Sequence, residues 1–265
     1  MKKSIIELDK WASPEASLSK KPPVLTHYIA ENKKTNATVL ILPGGAYYTL
    51  STYEGEGYSE FFARLGMDTF VLEYRHSPDR FPAPLIDARC AIKFIRKNAG
   101  TLGIDKDKIA IMGSSAGGHL AALTSTCRGD FGEEKWSPED CLPNAQILCY
   151  PVTDMLSHSG SYENLLGEET TKLERTVTPS IIADKSTPPA FIWHTSTDSA
   201  VNIEGTYGYL KKLHELGIPC EMHVFPTGDH GLGLADDEER NLPYVARWSS
   251  MLKEWLVFNG YLAFE

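Results

Sequence analysis

An α/β fold with a mostly parallel central sheet and helices on both faces is what this sequence predicts, and three observations predict it. Short apolar, β-branched stretches alternate with longer stretches at helical spacing along nearly the whole chain. Gly113-Ser114-Ser115-Ala116-Gly117, a G-x-S-x-G pattern, joins the apolar stretch 108–112 to a run of helix formers from Gly118 to Leu123. Asp198 and His230 follow in that order, each just past a further strand-like stretch.

Residues 1–22 are polar and proline-containing, with Trp11 expected to tether them to the domain. Residues 24–30 alternate in polarity like a strand on the half-exposed side of a sheet. Residues 37–42 are continuously apolar, as in a strand covered on both faces. That strand runs straight into Pro43-Gly44-Gly45-Ala46-Tyr47-Tyr48. A helix over about 56–65, a strand over 67–74 and a turn-rich stretch at 75–80 come next. Residues 82–98 read as a long helix, with Pro84 in its first turn and Leu85, Ala88, Ile92 and Ile95 at helical spacing. After the turn at 105–107 and the strand leading to Ser115, strands are expected over 145–150, 189–195 and 220–225. Helices are expected over 205–216 and 242–258, and the acidic run 236–239 reads as a solvated helix start. Only 152–187 breaks the alternation. A connection that long inside a compact domain is expected to be a lid or small insertion covering the substrate. The 265 residues are expected to form a single domain.

Composition narrows the function classes. The 42% hydrophobic and 23% charged fractions are those of a folded globular protein. A net charge of −9 speaks against nucleic-acid binding, because phosphate recognition needs a basic face. No stretch approaches the ~18 apolar residues that a membrane span requires. Residues 1–10 start basic but lack an uninterrupted apolar core, so no signal peptide is expected. The five cysteines are odd in number and show no C-x-x-C spacing. Cys90, Cys127, Cys149 and Cys220 are expected to be buried free thiols, and the cytoplasm is the expected compartment. Neither metal-ligand spacing nor a phosphate or dinucleotide loop is present, so no metal and no cofactor is expected. Whether copies of the chain form a homo-oligomer is left open.

The G-x-S-x-G context carries the chemistry. Its glycines let the chain reverse sharply, placing Ser115 on a strained corner with the N–H of Ala116 at a helix N-terminus. Serine is a poor nucleophile unless a base, normally a histidine oriented by a carboxylate, takes its proton. His230, flanked by Gly228 and Gly231, is the expected general base. His119 is expected to pack or hydrogen-bond within the nucleophile helix, while His194 and His223 fall in strands and His214 on a helix face. Asp198 is the first candidate for the acid and Asp154 its competitor. Asp229 is expected to shape the loop, and Asp87 to make a structural hydrogen bond. Gly45 and Ala46, with Ala116, are expected to donate backbone N–H groups to an oxyanion, each contributing on the order of 10²–10³-fold in comparable sites.

Through these residues the chain resembles the α/β-hydrolase esterases, in particular the bacterial branch of acetylxylan-esterase-like and feruloyl-esterase-like carbohydrate esterases. The likeness spans about Val39 to Trp255. It is carried by Leu42-Pro43-Gly44-Gly45-Ala46-Tyr47, Glu54-Gly55-Glu56, Tyr74-Arg75, Pro82-Ala83-Pro84-Leu85-Ile86-Asp87-Ala88 and the segment from Gly113 to Ala121. Thr195-Ser196-Thr197-Asp198 and Gly228-Asp229-His230-Gly231-Leu232 complete it. The resemblance implies the α/β-hydrolase fold, Ser115 as nucleophile, Asp198 and His230 as its partners, and residues 44–46 as oxyanion loop. Two positions depart from the family's pattern: Ala46 stands for a usual third glycine, and Ser114 for a usual aromatic expected to shape the pocket beside the nucleophile. The implied activity is a serine carboxylesterase acting on short acyl esters, acetyl among them, of small molecules such as sugars. A peptidase or lipase on the same scaffold and a non-catalytic binding member are the alternatives.

Overall fold

A computed structural model describes residues 1–8, 21–131, 137–154 and 156–263. Among them eight strands form one sheet: β1 (Lys2–Glu7), β2 (Val24–Ile29), β3 (Thr38–Leu42), β4 (Asp68–Glu73), β5 (Ile109–Ser114), β6 (Ala145–Cys149), β7 (Ala190–Thr195) and β8 (Cys220–Phe225). Their spatial order is β1-β2-β4-β3-β5-β6-β7-β8. The β1–β2 and β2–β4 pairs are antiparallel, and every pair from β4 across to β8 is parallel. The connections carry α1 (Thr52–Arg64), α2 (Ala83–Lys97), α3 (Ala99–Leu102), α4 (Ser115–Thr126) and α5 (Pro138–Cys141). Beyond β6 come α6 (Ser159–Leu166), α7 (Thr170–Val177), α8 (Pro179–Ile182) and α9 (Ile203–Glu215), and α10 (Pro243–Ala246) and α11 (Trp248–Phe258) follow β8.

Successive strand residues point to opposite faces, and both faces are covered. Leu40, Leu42, Ile109, Ile111 and Ile192 pack in one cluster with Leu85 and Ile92 of α2, Leu120 of α4 and Leu213 of α9. Val39, Ile41, Met112, Phe191 and Trp193 pack in the other with Phe62 of α1 and with Trp248 and Leu252 of α11. The rings of Trp193 and Trp248 stack with centroids 5.0 Å apart. Double burial is why these strands read as unbroken apolar runs.

Several expectations are corrected. Residues 2–7, for which no strand is expected, pair with β2 from Lys2↔Ile29 to Glu7↔Val24 as an exposed edge strand. Such a strand, bearing lysines and little buried surface, gives almost no apolar alternation. Trp11 lies outside the described residues. The segment 152–187 is helical over α6, α7 and α8. Each of these is too short to display a sustained 3.6-residue period. The acidic run 236–239 does not start a helix. Asp237 instead accepts the N–H groups of Glu239 and Arg240 and pairs with the Arg240 side chain, closing a turn. The helix expected over 242–258 is split at Arg247 into α10 and α11, and α1 begins ahead of the expected 56. Cys220, on the outer strand β8, is half-buried, whereas Cys141 joins Cys90, Cys127 and Cys149 as a buried cysteine outside any disulfide. Among the described residues no helix is long and apolar enough to cross a membrane.

Candidate active site

Parallel strands bring their C-terminal ends to one edge, where ligands of open α/β sheets bind. Residues 43–46 leave β3 there, Ser115 leaves β5, His158 follows β6, Asp198 follows β7 and His230 follows β8. Ser115 sits at φ +54°, in the left-handed region that a non-glycine residue occupies at a cost of about 1–3 kcal/mol. The turn tolerates no bulk around it. A Cβ on Gly113 would lie 2.1 Å from the Gly117 carbonyl oxygen, and one on Gly117 would lie 2.1 Å from that of Leu42.

His230 Nε2 is 2.8 Å from Ser115 Oγ, and His230 Nδ1 is 2.7 Å from Asp198 Oδ2. Asp198 is further bound: His194 Nε2 approaches the same oxygen at 3.2 Å, while the N–H groups of Ala200 and Val201 donate to Oδ1. Burial alone would push this carboxyl up. The hydrogen bonds from His194 and His230 overcome that and hold it well below the usual carboxylate range. An ionised Asp198 fixes the His230 tautomer, with Nδ1–H donating to it and Nε2 free to accept the serine proton. His194 Nε2 also faces the Val201 carbonyl at 3.2 Å, so it too carries a proton and donates.

The remaining candidates fall elsewhere. Asp154 Oδ1 accepts the N–H of Ser157 and shapes its own turn, out of hydrogen-bond contact with His230. Asp229 accepts from the backbone and hydroxyl of Ser199 and from the His230 N–H, tying the loop after β7 to the loop after β8. Asp87 is a structural acceptor, buried against the Arg75 N–H and guanidinium. His119 is buried between Tyr47 Oη at 2.7 Å and the Val177 carbonyl at 2.8 Å, and burial pushes its pKa down to about 4. His223 pairs with Glu221, and His214 is exposed on α9.

On the loop after β3, the Gly44 N–H donates to Glu54 Oε2 at 2.7 Å and is therefore engaged. The N–H groups of Gly45, Ala46 and Ala116 have no acceptor among the described residues. Ala46 adopts φ +53°, which is the physical reason a glycine suits this position; alanine tolerates it at roughly 1–2 kcal/mol. Ser114 stands at the second position that departs from the family's pattern. It is fully buried, with Oγ 2.8 Å from Tyr58 Oη.

Two residues here escape sequence reasoning. Glu54 is a fully buried acid on α1 whose Oε1 accepts from Tyr150 Oη at 2.6 Å. Tyr150 Oη in turn accepts the Gly233 N–H, and its ring meets the His230 ring edge-on at 5.1 Å. One carboxyl thus joins the loop after β3 to the loop bearing His230. Burial raises its pKa, with the bonds from Tyr150 and Gly44 opposing. The sole trace in sequence is an acid early in α1, within Glu54-Gly55-Glu56. The second is His158, from the segment that shows no pattern. It lines a cavity of about 340 Å³ together with Ser115, His230, Gly45, Ala46 and Tyr48.

The sheet order and this convergence of loops define an α/β-hydrolase fold. The solved acetyl ester-xyloside bifunctional hydrolase from Caldicellulosiruptor lactoaceticus shares it with a TM-score of 0.88 and 36% identity, over 98% of this chain and 97% of that one. The chain belongs to the BD-FAE family, whose model matches residues 25–213. Endo-1,4-beta-xylanase B of Butyrivibrio fibrisolvens is 37% identical over 237 residues, which are 86% of this chain and 36% of that protein. The acetylxylan esterase of Xylanibacter ruminicola is 33% identical over 216 residues, 78% of this chain and 43% of that protein. The chain therefore spans less than half the length of these two relatives.

Proposed function

We propose that the chain is a serine carboxylesterase that removes short acyl groups, acetyl foremost, from hydroxylated small molecules such as sugar derivatives. The observation that carries this reading is the relay from Ser115 Oγ through His230 to Asp198, at 2.8 and 2.7 Å, beside backbone N–H groups with no acceptor among the described residues. His230 takes the Ser115 proton as Oγ attacks the ester carbonyl. The N–H groups of Gly45, Ala46 and Ala116 hold the oxyanion, and His230 then protonates the departing alcohol. Water deprotonated by the same ring attacks the acyl-serine and releases the acid, while Asp198 holds the tautomer and stabilises the imidazolium.

Acetyl esters of sugars are supported by the names of the relatives, two of which refer to acetylated xylan or an acetyl ester. Ester rather than glycoside cleavage is favoured by the cavity's carboxyls. Glycosidases need two such groups flanking the bond, and among the described lining residues Glu54 is the one acid, with both oxygens already accepting. We read residues 152–187 as a cover on the cavity within one domain spanning 1–265. Asn164 donating to the Ala46 carbonyl at 2.9 Å supports that reading. Five cysteines outside any disulfide favour a cytoplasmic setting. Ser115→Ala is expected to lower turnover of p-nitrophenyl acetate by roughly 10⁴-fold or more; near wild-type turnover would overturn the assignment.

A further inference from the structure

His158 enters the cavity from the loop between β6 and α6, a loop that supplies no residue to the proposed mechanism. Its Nδ1 caps α6 by accepting the Ser161 N–H at 3.0 Å. A backbone amide only donates, so Nδ1 carries no proton and the neutral ring bears its hydrogen on Nε2. Protonating the ring would set a second donor against that N–H. Burial, and next the nearby His230, also hold its pKa below the ordinary histidine value. Among the described residues Nε2 has no hydrogen-bond partner, and the ring is only half-buried.

We propose that His158 is a specificity-determining residue whose Nε2–H donates to a hydroxyl on the alcohol half of the substrate, next to the esterified position. The placement follows from the proton's route. His230 must hand its proton to the departing alcohol, so that half of the ester lies on the side of the His230 ring. The acyl oxygen is held instead by the N–H groups of the loop after β3. His158 lines the same cavity as His230 and Ser115, so its ring faces the space into which that alcohol departs. A fixed, neutral donor there recognises an oxygen lone pair and offers nothing to a hydrocarbon, so it selects polyhydroxylated alcohols over plain alkyl ones.

This inference rests on the esterase reading, and two probe esters separate the two. trans-2-Hydroxycyclohexyl acetate and cyclohexyl acetate differ by one vicinal hydroxyl. One neutral hydrogen bond gives the wild-type chain a preference of about 3- to 10-fold in kcat/KM for the hydroxylated ester. His158→Ser keeps a capping oxygen on α6 but is too short to reach the cavity. It is expected to abolish the preference, bringing the ratio of kcat/KM on the two esters to about one. His158→Asn, also a cap former, gives the same readout if the serine variant fails to fold. A wild-type chain with no preference, a preference that survives in the variants, or an equal fall on both esters overturns the proposal. A wild-type chain inactive on both esters and on p-nitrophenyl acetate sinks the esterase reading itself, and this inference with it.

Discussion

At the scale of single residues, the two nitrogens of His230 hold different roles because Asp198 is kept ionised. That carboxylate has four donors around it, from His194, His230, Ala200 and Val201. A carboxyl depressed in the folded state adds stability that is fully present above its unfolded value, about 3.9, and is lost as pH falls through the folded one. Asp198→Asn is therefore expected to be less stable than wild type in urea titrations at neutral pH, with the gap shrinking as the pH is taken below about 4. A gap unchanged across that range contradicts an ionised Asp198. Its identity was legible in sequence, because it stands just past a strand ahead of the histidine. His194, the residue that helps hold it, was not: a histidine inside a strand looks alike whether it packs or donates.

At the scale of elements, the site is a set of loops held in register by buried polar contacts. Glu54 joins the loop after β3 to the loop carrying His230 through Gly44 and Tyr150. Glu54→Ala leaves the buried Gly44 N–H without an acceptor, at about 1–3 kcal/mol, and takes from the Tyr150 hydroxyl its 2.6 Å acceptor, leaving it Tyr58 Oη at 3.2 Å. The expected result is a loss of about 2–5 kcal/mol in urea unfolding and a fall in kcat on p-nitrophenyl acetate, with KM little changed. A fall in KM-governed binding alone would contradict a positioning role. Strands such as β3, β5 and β7 are readable in sequence because both faces are buried, which leaves an uninterrupted apolar run. The edge strand β1 and the short helices α6, α7 and α8 are not, since edge exposure and brevity each erase the periodic signal. His158 is hidden for the same reason. Its meaning comes from the cavity it reaches, not from its neighbours in the chain.

For the molecule as a whole, the border strand β1 lies apart from the site, so packing there can be tested separately from the chemistry. The C-terminal strand edge carries the proposed reacting groups, while the N-terminal strand closes one border of the sheet. Leu8, just past β1, is fully buried in the cluster that includes Leu25 and Leu72. Leu8→Ala is expected to reduce unfolding free energy by about 2–5 kcal/mol in denaturant titration. kcat/KM on p-nitrophenyl acetate should remain within about twofold of wild type, and a matching loss of activity would show that the two ends are coupled.

The central claim is that the hydroxyl of Ser115 is the activated group, and covalent trapping tests it most directly. A fluorophosphonate reacted with the folded chain and mapped by peptide mass spectrometry should leave one adduct, on Ser115, with hydrolysis lost in proportion to labelling. An adduct confined to another residue, or full hydrolysis by a chain whose Ser115 stays unmodified, would contradict the account.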